Sequence, residues 1–450
     1  MNPFKAYDIR GVYGDEVDDT LAYRVGRAFA RFTGGVDLLG GYDARTHSGE
    51  LLRAFAAGAA SAGGTLYDAG CLSTPALHWL QMQRGYGAGV MATASHNPPR
   101  YHGFKLFDGS GGSVGYAKGL AGIEAAVAAD DSPLPGTLAA PAALPAGALD
   151  EYVQFATAHV RPEARGMKVV IDASNGSAGA LAQAAADAIG LDATVLNAAP
   201  DGTFPAHPPN PLEADSQREV AAAVPAAGAA LGALLDGDGD RILFFDETGR
   251  PLESYFAGAL IAGSLLQREP GAAIVYDLIS SRVFPEAVAE AGGVPVKARV
   301  GYSLLYDEMV RSGAIYGNET SGHLYFRVRD SFYTESAIYG LGVLLNLVVE
   351  RGRPLSELAA PLRSRYVQQE EINIPLGRLQ PEAALQRVRE AFGDGEQEEL
   401  DGVSVSYDRF WFNVRPSNTE PLLRLRLEAV DEAAVAQATA RILEVLEAGS

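Results

Sequence analysis

Three times along the chain a short apolar run closes on an aspartate. Each run then passes through a polar loop and an alanine-rich helical segment to a glycine and a further strand. The runs begin at VDLLGGYDARTHS (Val36 to Ser48), KVVIDASNGSAG (Lys168 to Gly179) and AAIVYDLISS (Ala272 to Ser281), and place Asp43, Asp172 and Asp277 at predicted strand ends. Each unit later offers glycine and alanine before a second apolar run that opens directly into a polar, glycine-bearing loop: GAGVMATASHNP, GAALGALLDGDGD and GAIYGNETSGH. Strands alternating with helices at this spacing predict parallel or mixed sheets covered on both faces, with ligands taken up beyond the strand ends. Periodicity does not say whether the three loops meet, and three unrelated α/β turns would produce the same pattern.

Asp130 to Leu149, DDSPLPGTLAAPAALPAGAL, is rich in proline and alanine without a period, and reads as a connection or an edge excursion between the first two units. After Leu362 the repeat is lost. Val403 to Ala429 holds two strand-like runs around a polar turn, followed by an amphipathic helix from Glu432 to Ala448, which suits a smaller, mobile α+β domain. The domains expected are residues 1–150, 151–250, 251–365 and 366–450, in agreement with a length that exceeds what one core usually supports.

Composition narrows the class. With 47% hydrophobic residues, 51 glycines among 450 residues and a net charge of −20, the chain fits a globular enzyme and argues against nucleic acid or an acidic membrane as its main partner. Cys71 is the single cysteine, so no intrachain disulfide can form; it is expected to be a small buried residue. The first residues, MNPFKAYDIRGVYG, lack a signal-peptide core, and the alanine-rich stretch Val220 to Leu235 is broken by Pro225, Gly228 and Gly232. A cytoplasmic location is the simplest expectation.

Chemistry concentrates in four loops. TASHNPPRYHGFK (Thr93 to Lys105) exposes Ser95 beside His96, with Lys105 ten residues on, a set able to serve as nucleophile with base or phosphate contacts; Asn97, Pro98 and Pro99 also spell an ordinary turn. DGDGDR (Asp236 to Arg241) alternates carboxylates with glycines, so Asp236, Asp238 and Asp240 can face one point, where their repulsion calls for a cation. Oxygen-only ligands select magnesium, calcium or manganese. An acidic turn without metal is the alternative, and an EF-hand is disfavoured because the twelfth position, Glu247, follows an apolar strand. Arg241 stands where a metal-bound phosphate would use a guanidinium. GNETSGH (Gly317 to His323) offers Glu319 and Ser321 to sugar hydroxyls and His323 for proton exchange, or a structural histidine. RPSNTEP (Arg415 to Pro421) combines Arg415 with Ser417, Asn418 and Thr419 in a pattern suited to a phosphate dianion or to a plain hairpin turn.

Together, and in this order from KAYDIRG to RPSNTEP, the four loops resemble those of the alpha-D-phosphohexomutase superfamily, most closely its bacterial phosphomannomutase/phosphoglucomutase branch. The resemblance covers nearly the whole chain. It implies a heart-shaped, four-domain α/β enzyme: three domains sharing one mixed-sheet core and a C-terminal α+β domain closing a cleft. It further implies a phosphorylated Ser95, a Mg²⁺ ion held by Asp236, Asp238, Asp240 and the serine phosphoryl, and a hexose 1,6-bisphosphate activator. Glu319 and Ser321 would grip the sugar, Arg415, Ser417, Asn418 and Thr419 the far phosphate, and Tyr7 and Arg10 would line the cleft near the serine. Lys105 resembles the proposed general base, and His323 would position or protonate the substrate.

Two departures stand out. Ile279 occupies a turn position where this branch often has lysine, and Arg299, Val300, Gly301 and Tyr302 stand for a Lys-Thr-Gly-His run, with tyrosine in place of a sugar-contacting histidine. The expected reaction interconverts hexose 1-phosphate and hexose 6-phosphate, by a monomer or homodimer. Thr320 and Asn418 tilt away from a phosphoglucosamine mutase, the nearest alternative, and a metal-dependent phosphatase would leave TASHNP and RPSNTEP unexplained.

Overall fold

The computed structural model describes residues 2–138, 140–144, 147–329, 332–376, 380–417 and 422–447. The three repeats fold into sheets with one shared strand order. In the first, Thr65–Cys71, Asp37–Tyr42 and Ala88–Ala92 run parallel, and Tyr101–Phe107 pairs antiparallel with Ala88–Ala92. The second repeats this with Asp192–Leu196, Lys168–Asp172, Leu231–Leu235 and Ile242–Asp246; the third does so with Val294–Ala298, Ala273–Asp277, Tyr316–Asn318 and Leu324–Arg329. Each sheet carries one further strand beside its antiparallel strand, Ile9–Val12, Pro251–Leu252 and Phe332–Glu335 in turn, and the first alone gains Ala142–Ala143 at the opposite edge. That short edge strand is where the proline-rich connection touches the sheet.

Ala88–Ala92 and Leu231–Leu235 are buried at every position, as expected for strands covered on both faces. The covering helices end where the sequence stops them. The Ser73 hydroxyl caps Thr74–Arg84 by accepting from Ala76 N, with Pro75 in the first turn, and Gly85 closes it in the left-handed region. Ser336 caps Ala337–Arg351 in the same way, and Gly352 ends it. Val220 to Leu235 divides into the end of helix Ala214–Ala227, a Gly228 cap and strand Leu231–Leu235; among the described residues no helix is long and apolar enough to cross a membrane.

The C-terminal domain is an antiparallel sheet, with Val367–Pro375, Leu422–Ala429, Phe410–Pro416, Val403–Ser406 and Glu396–Glu398 in that spatial order. Helices Pro381–Ala391 and Glu432–Glu447 cover it over a core that includes Phe392, Phe412 and Ile442. It docks on the third domain through Arg282, whose backbone N–H donates to Glu428 and whose guanidinium donates to Tyr407 O.

Cys71 corrects the expectation of burial. It is exposed because it ends strand Thr65–Cys71 as the chain turns inward at Leu72, and partial desolvation still pushes its thiol up to about 11.

Candidate active site

The three polar loops meet, and backbone hydrogen bonds join them. Thr74 N donates to Asp238 O at 2.9 Å, tying the first domain to the aspartate loop, and Ile242 N donates to Gly322 O at 3.1 Å, tying that loop to the third domain. The strand-end aspartates are braces. Asp43 accepts from Ser48 Oγ at 2.6 Å and from Thr93 Oγ1 at 2.7 Å, and Asp277 accepts from Thr320 N at 2.7 Å and Thr320 Oγ1 at 2.8 Å. Asp172 holds Ser174 N at 2.8 Å and His207 at 3.2 Å. Burial and the Glu319 charge raise Asp277 to about 6.

Ser95 sits where the first loop turns, at φ +50, an uncommon value for a residue with a side chain. Its hydroxyl donates to Asp236 Oδ2 at 2.9 Å and lies 3.2 Å from His96 Nδ1. Burial, then the charges of Arg241 and Arg10, hold His96 well below the usual histidine range, so its ring is neutral. Gly237 makes the close approach possible: a Cβ there would stand 2.7 Å from Ser95 O.

Asp236, Asp238 and Asp240 are almost fully buried, and one oxygen from each lies within 4.8 Å of the others. Lys105 Nζ donates to Asp238 Oδ2 at 2.8 Å and to Asp240 Oδ2. Thr74 Oγ1 also donates to Asp238, with Thr93 Oγ1 3.2 Å from the same carboxylate, and the Asp240 and Arg241 backbone N–H groups donate to Asp236 Oδ1. Asp238 Oδ1 and Asp240 Oδ1 are buried without a partner. Three carboxylates against one ammonium leave a formal −2, and the unpartnered oxygens are hard donors, so the residues fit a divalent cation. Burial and the two neighbouring aspartates push Asp236 well above the usual carboxylate range. Burial works the same way on Asp240, but Lys105, His323 and Arg241 outweigh it and hold Asp240 well below that range.

Beside the triad, His323 Nδ1 lies 3.4 Å from Glu335 and 3.8 Å from Asp240, making a second acid and histidine cluster. Burial disfavours the imidazolium, but Asp240 and Glu335 push His323 up to about 9. His323 Nε2 lies 3.1 Å from Arg241 Nε.

On the third domain Glu319 Oε1 accepts from Gly301 N at 3.1 Å, and Ser321 Oγ is buried without a partner. Tyr302 donates to Tyr7 O at 3.1 Å and lies 3.2 Å from Ser113 Oγ, so its hydroxyl is spent on joining the first and third domains. Arg10 bridges Asp8 and Asn97, each at 2.6 Å. The Tyr7 hydroxyl donates to Val300 O at 3.3 Å and is raised first by burial, then by the charge of Asp401, while Arg299 beside Val300 is exposed. Arg415 is nearly buried, 3.7 Å from Glu371, and Ser417 N donates to Leu422 O. Asn418 and Thr419 lie outside the described residues. Ile279 is half-buried in its turn.

Sequence reasoning passed over Arg45, Thr74, Thr93 and Glu335. Thr74 and Arg45 are remote in sequence from the loops they serve, and Glu335 ends an unremarked strand, Phe332–Glu335. Only the position of Arg45, two residues past Asp43 at a strand end, was a signal.

Three α/β domains that share one strand order and bring a serine against three buried aspartates, with a fourth antiparallel-sheet domain docked on them, define a four-domain α/β class, and the comparisons specify it. The chain matches, in order, the phosphoglucomutase/phosphomannomutase alpha/beta/alpha domains I, II and III over residues 1–133, 150–249 and 253–366, and the C-terminal domain of that family over residues 371–445. It belongs to this family, in the phosphomannomutase/phosphoglucomutase branch of the alpha-D-phosphohexomutase superfamily. It is 36% identical to a phosphomannomutase of Methanocaldococcus jannaschii over 95% of this chain and 94% of that protein, and 35% identical to phosphohexose mutases of Xanthomonas campestris over 96% of each. A crystal structure of a phosphoglucomutase/phosphomannomutase family protein from Burkholderia thailandensis superposes with a TM-score of 0.88 at 30% identity, covering 100% of this chain and 99% of the other. The protein is an isomerase of the phosphohexomutase type.

Proposed function

We propose that this enzyme interconverts mannose and glucose 1-phosphates with their 6-phosphates, in the cytoplasm, through a phosphorylated Ser95 and a hexose 1,6-bisphosphate that also serves as activator. The observation that carries this reading is the Ser95 hydroxyl 2.9 Å from Asp236, at the edge of a triad that retains two unpartnered buried carboxylate oxygens. Phosphoryl transfer asks a protein mainly for alignment and charge neutralisation. Mg²⁺ held by Asp236, Asp238 and Asp240 supplies neutralisation for the phosphoryl oxygens.

The chain's own residues do the rest. Phosphoserine 95 gives its phosphoryl group to the 6-hydroxyl of a hexose 1-phosphate. The P–O bond to serine breaks as the bond to O6 forms, and the hydroxyl proton passes to Nε2 of His323, which exchanges its hydrogen bond from Arg241 Nε for one from the hydroxyl once a cation on the aspartates weakens the pull that holds the ring protonated. After the bisphosphate turns over, Ser95 takes the phosphoryl from O1 and His323 returns the proton to O1. Lys105, with its ammonium bonded to two aspartates, balances charge in this arrangement instead of acting as the general base. Arg241 steadies His323 and faces the transferring group. Glu319 and Ser321 hold the sugar in either orientation, while Tyr7, Arg10, Arg299 and Gly301 line the opening and Arg415 with Ser417, Asn418 and Thr419 takes the distant phosphate.

The test is a coupled assay with mannose, glucose and glucosamine 1-phosphates, each with Mg²⁺ and a trace of the matching 1,6-bisphosphate, reading 6-phosphate formation. Turnover of the mannose and glucose substrates that needs both additives and vanishes in Ser95→Ala supports the proposal. Preference for glucosamine phosphate would refute the sugar assignment, and comparable turnover by Ser95→Ala would refute the phosphoserine.

A further inference from the structure

The Arg45 side chain is completely buried, and all five of its N–H donors are used. Nε donates to Asp43 Oδ2 at 3.1 Å; Nη1 donates to Pro98 O at 2.8 Å and Tyr101 O at 2.9 Å; Nη2 donates to Ser95 O at 2.7 Å and to Asn97 O. Four carbonyls of the segment 95–101 therefore converge on one guanidinium. The other side of Ser95 is pinned as well, since its N–H donates to Thr93 Oγ1 at 2.8 Å and Thr93 donates in turn to Asp43, the carboxylate that holds Arg45. The face of the guanidinium lies 5.1 Å from the Phe204 ring of the second domain, and Phe204 also approaches Gly237 of the aspartate loop.

We propose that Arg45 is a positioning residue for Ser95: the serine loop wraps its carbonyls around the buried guanidinium, and this holds Ser95 in the left-handed backbone conformation that keeps its hydroxyl on Asp236. The inference rests on the mutase reading above. A φ of +50 at a residue with a side chain costs roughly 1–2 kcal/mol, so it persists only where neighbours over-determine it. A fixed, planar fork can do this for carbonyls arrayed on three sides of it. An ammonium cannot, because it offers three donors from one point. Arg45 touches no substrate group in this arrangement; it acts through the carbonyl of Ser95 and through Phe204.

The experiment compares wild type with Arg45→Lys, Arg45→Ala and Phe204→Leu in the full-length, Mg²⁺-loaded enzyme primed with hexose 1,6-bisphosphate. Displacing a reacting group by about an ångström costs on the order of 100-fold in rate. Arg45→Lys is therefore expected to lose about 100-fold in kcat with KM held within about threefold, and millimolar guanidinium is expected to restore part of the Arg45→Ala rate. A kcat for Arg45→Lys within about threefold of wild type, or a loss confined to KM, overturns the proposal. Should both Arg45 variants lose their near-ultraviolet circular dichroism, Phe204→Leu decides. A severalfold fall in kcat at constant KM supports the proposal, and an unchanged kcat overturns it. Wild-type enzyme that neither turns over nor gains a phosphoryl mass from the bisphosphate would instead refute the mutase reading, which separates the two failures.

Discussion

Replacing Lys105 with methionine removes the side-chain ammonium that hydrogen-bonds two members of the aspartate triad. The Lys105 side chain is 4% exposed, and those of Asp238 and Asp240 are 0% and 1% exposed, so the pair cannot be screened by solvent. With the carboxylate oxygens within 4.8 Å of one another and an effective dielectric constant of about 20, each pair of charged carboxylates repels by at least about 3.5 kcal/mol. Removing one partner of a buried ion pair typically costs about 3–5 kcal/mol. For a cooperative unit of about 150–250 residues this lowers Tm by roughly 6–20 °C in the presence of chelator. Mg²⁺ then faces a site one negative charge richer, and binding at 100 times Kd returns about 2.7 kcal/mol. The assay is thermal unfolding of wild type and Lys105→Met in chelator and across a Mg²⁺ titration. A chelated variant within about 2 °C of wild type, or a Mg²⁺-dependent gain no larger than that of wild type, refutes the reasoning.

Gly237→Ala places a Cβ 2.7 Å from a Ser95 carbonyl that Arg45 prevents from moving, and should destabilise by about 1–3 kcal/mol; unfolding midpoints in denaturant check this, and an unchanged midpoint with full activity would contradict the packing argument. Burial holds His102 and His159 neutral, each lowered to about 4. Because the unfolded chain takes up these protons from about pH 6.5, their contribution is complete above that pH and is lost as pH falls toward 4. The loss is at most about 3 kcal/mol for each ring and less for the more exposed His159. His102→Asn and His159→Gln should each flatten the pH dependence of Tm across that window, and parallel profiles would count against it. Tyr302→Phe removes a hydroxyl bonded to Tyr7 O and placed beside Ser113 Oγ, and should cost about 1 kcal/mol while leaving KM for the sugar phosphate unchanged; a tenfold rise in KM would show that the hydroxyl contacts sugar after all.

The three-fold repeat was legible in the chain because buried parallel strands leave continuous apolar runs, and because strand ends must open into polar loops that water or ligand can satisfy. The shared strand order of the three sheets bears this out, and Asp43, Asp172 and Asp277 do mark equivalent strand ends. The spacing of DGDGDR likewise announced a cluster of buried carboxylates, since glycines allow three of them to turn toward one another at short range. Sequence could not show that the loops converge, because convergence depends on long-range contacts such as Thr74 N to Asp238 O and Ile242 N to Gly322 O, formed between residues with no local relation. Nor could it show that Lys105 is bound between two aspartates, that Tyr302 spends its hydroxyl on the first domain, or that Arg45 gathers the carbonyls of the serine loop. Local periodicity and turn chemistry determine the elements and the residue types at their ends. Only the packing of separate domains decides which charges face each other away from water, and so which groups neutralise, orient or hold the reacting serine.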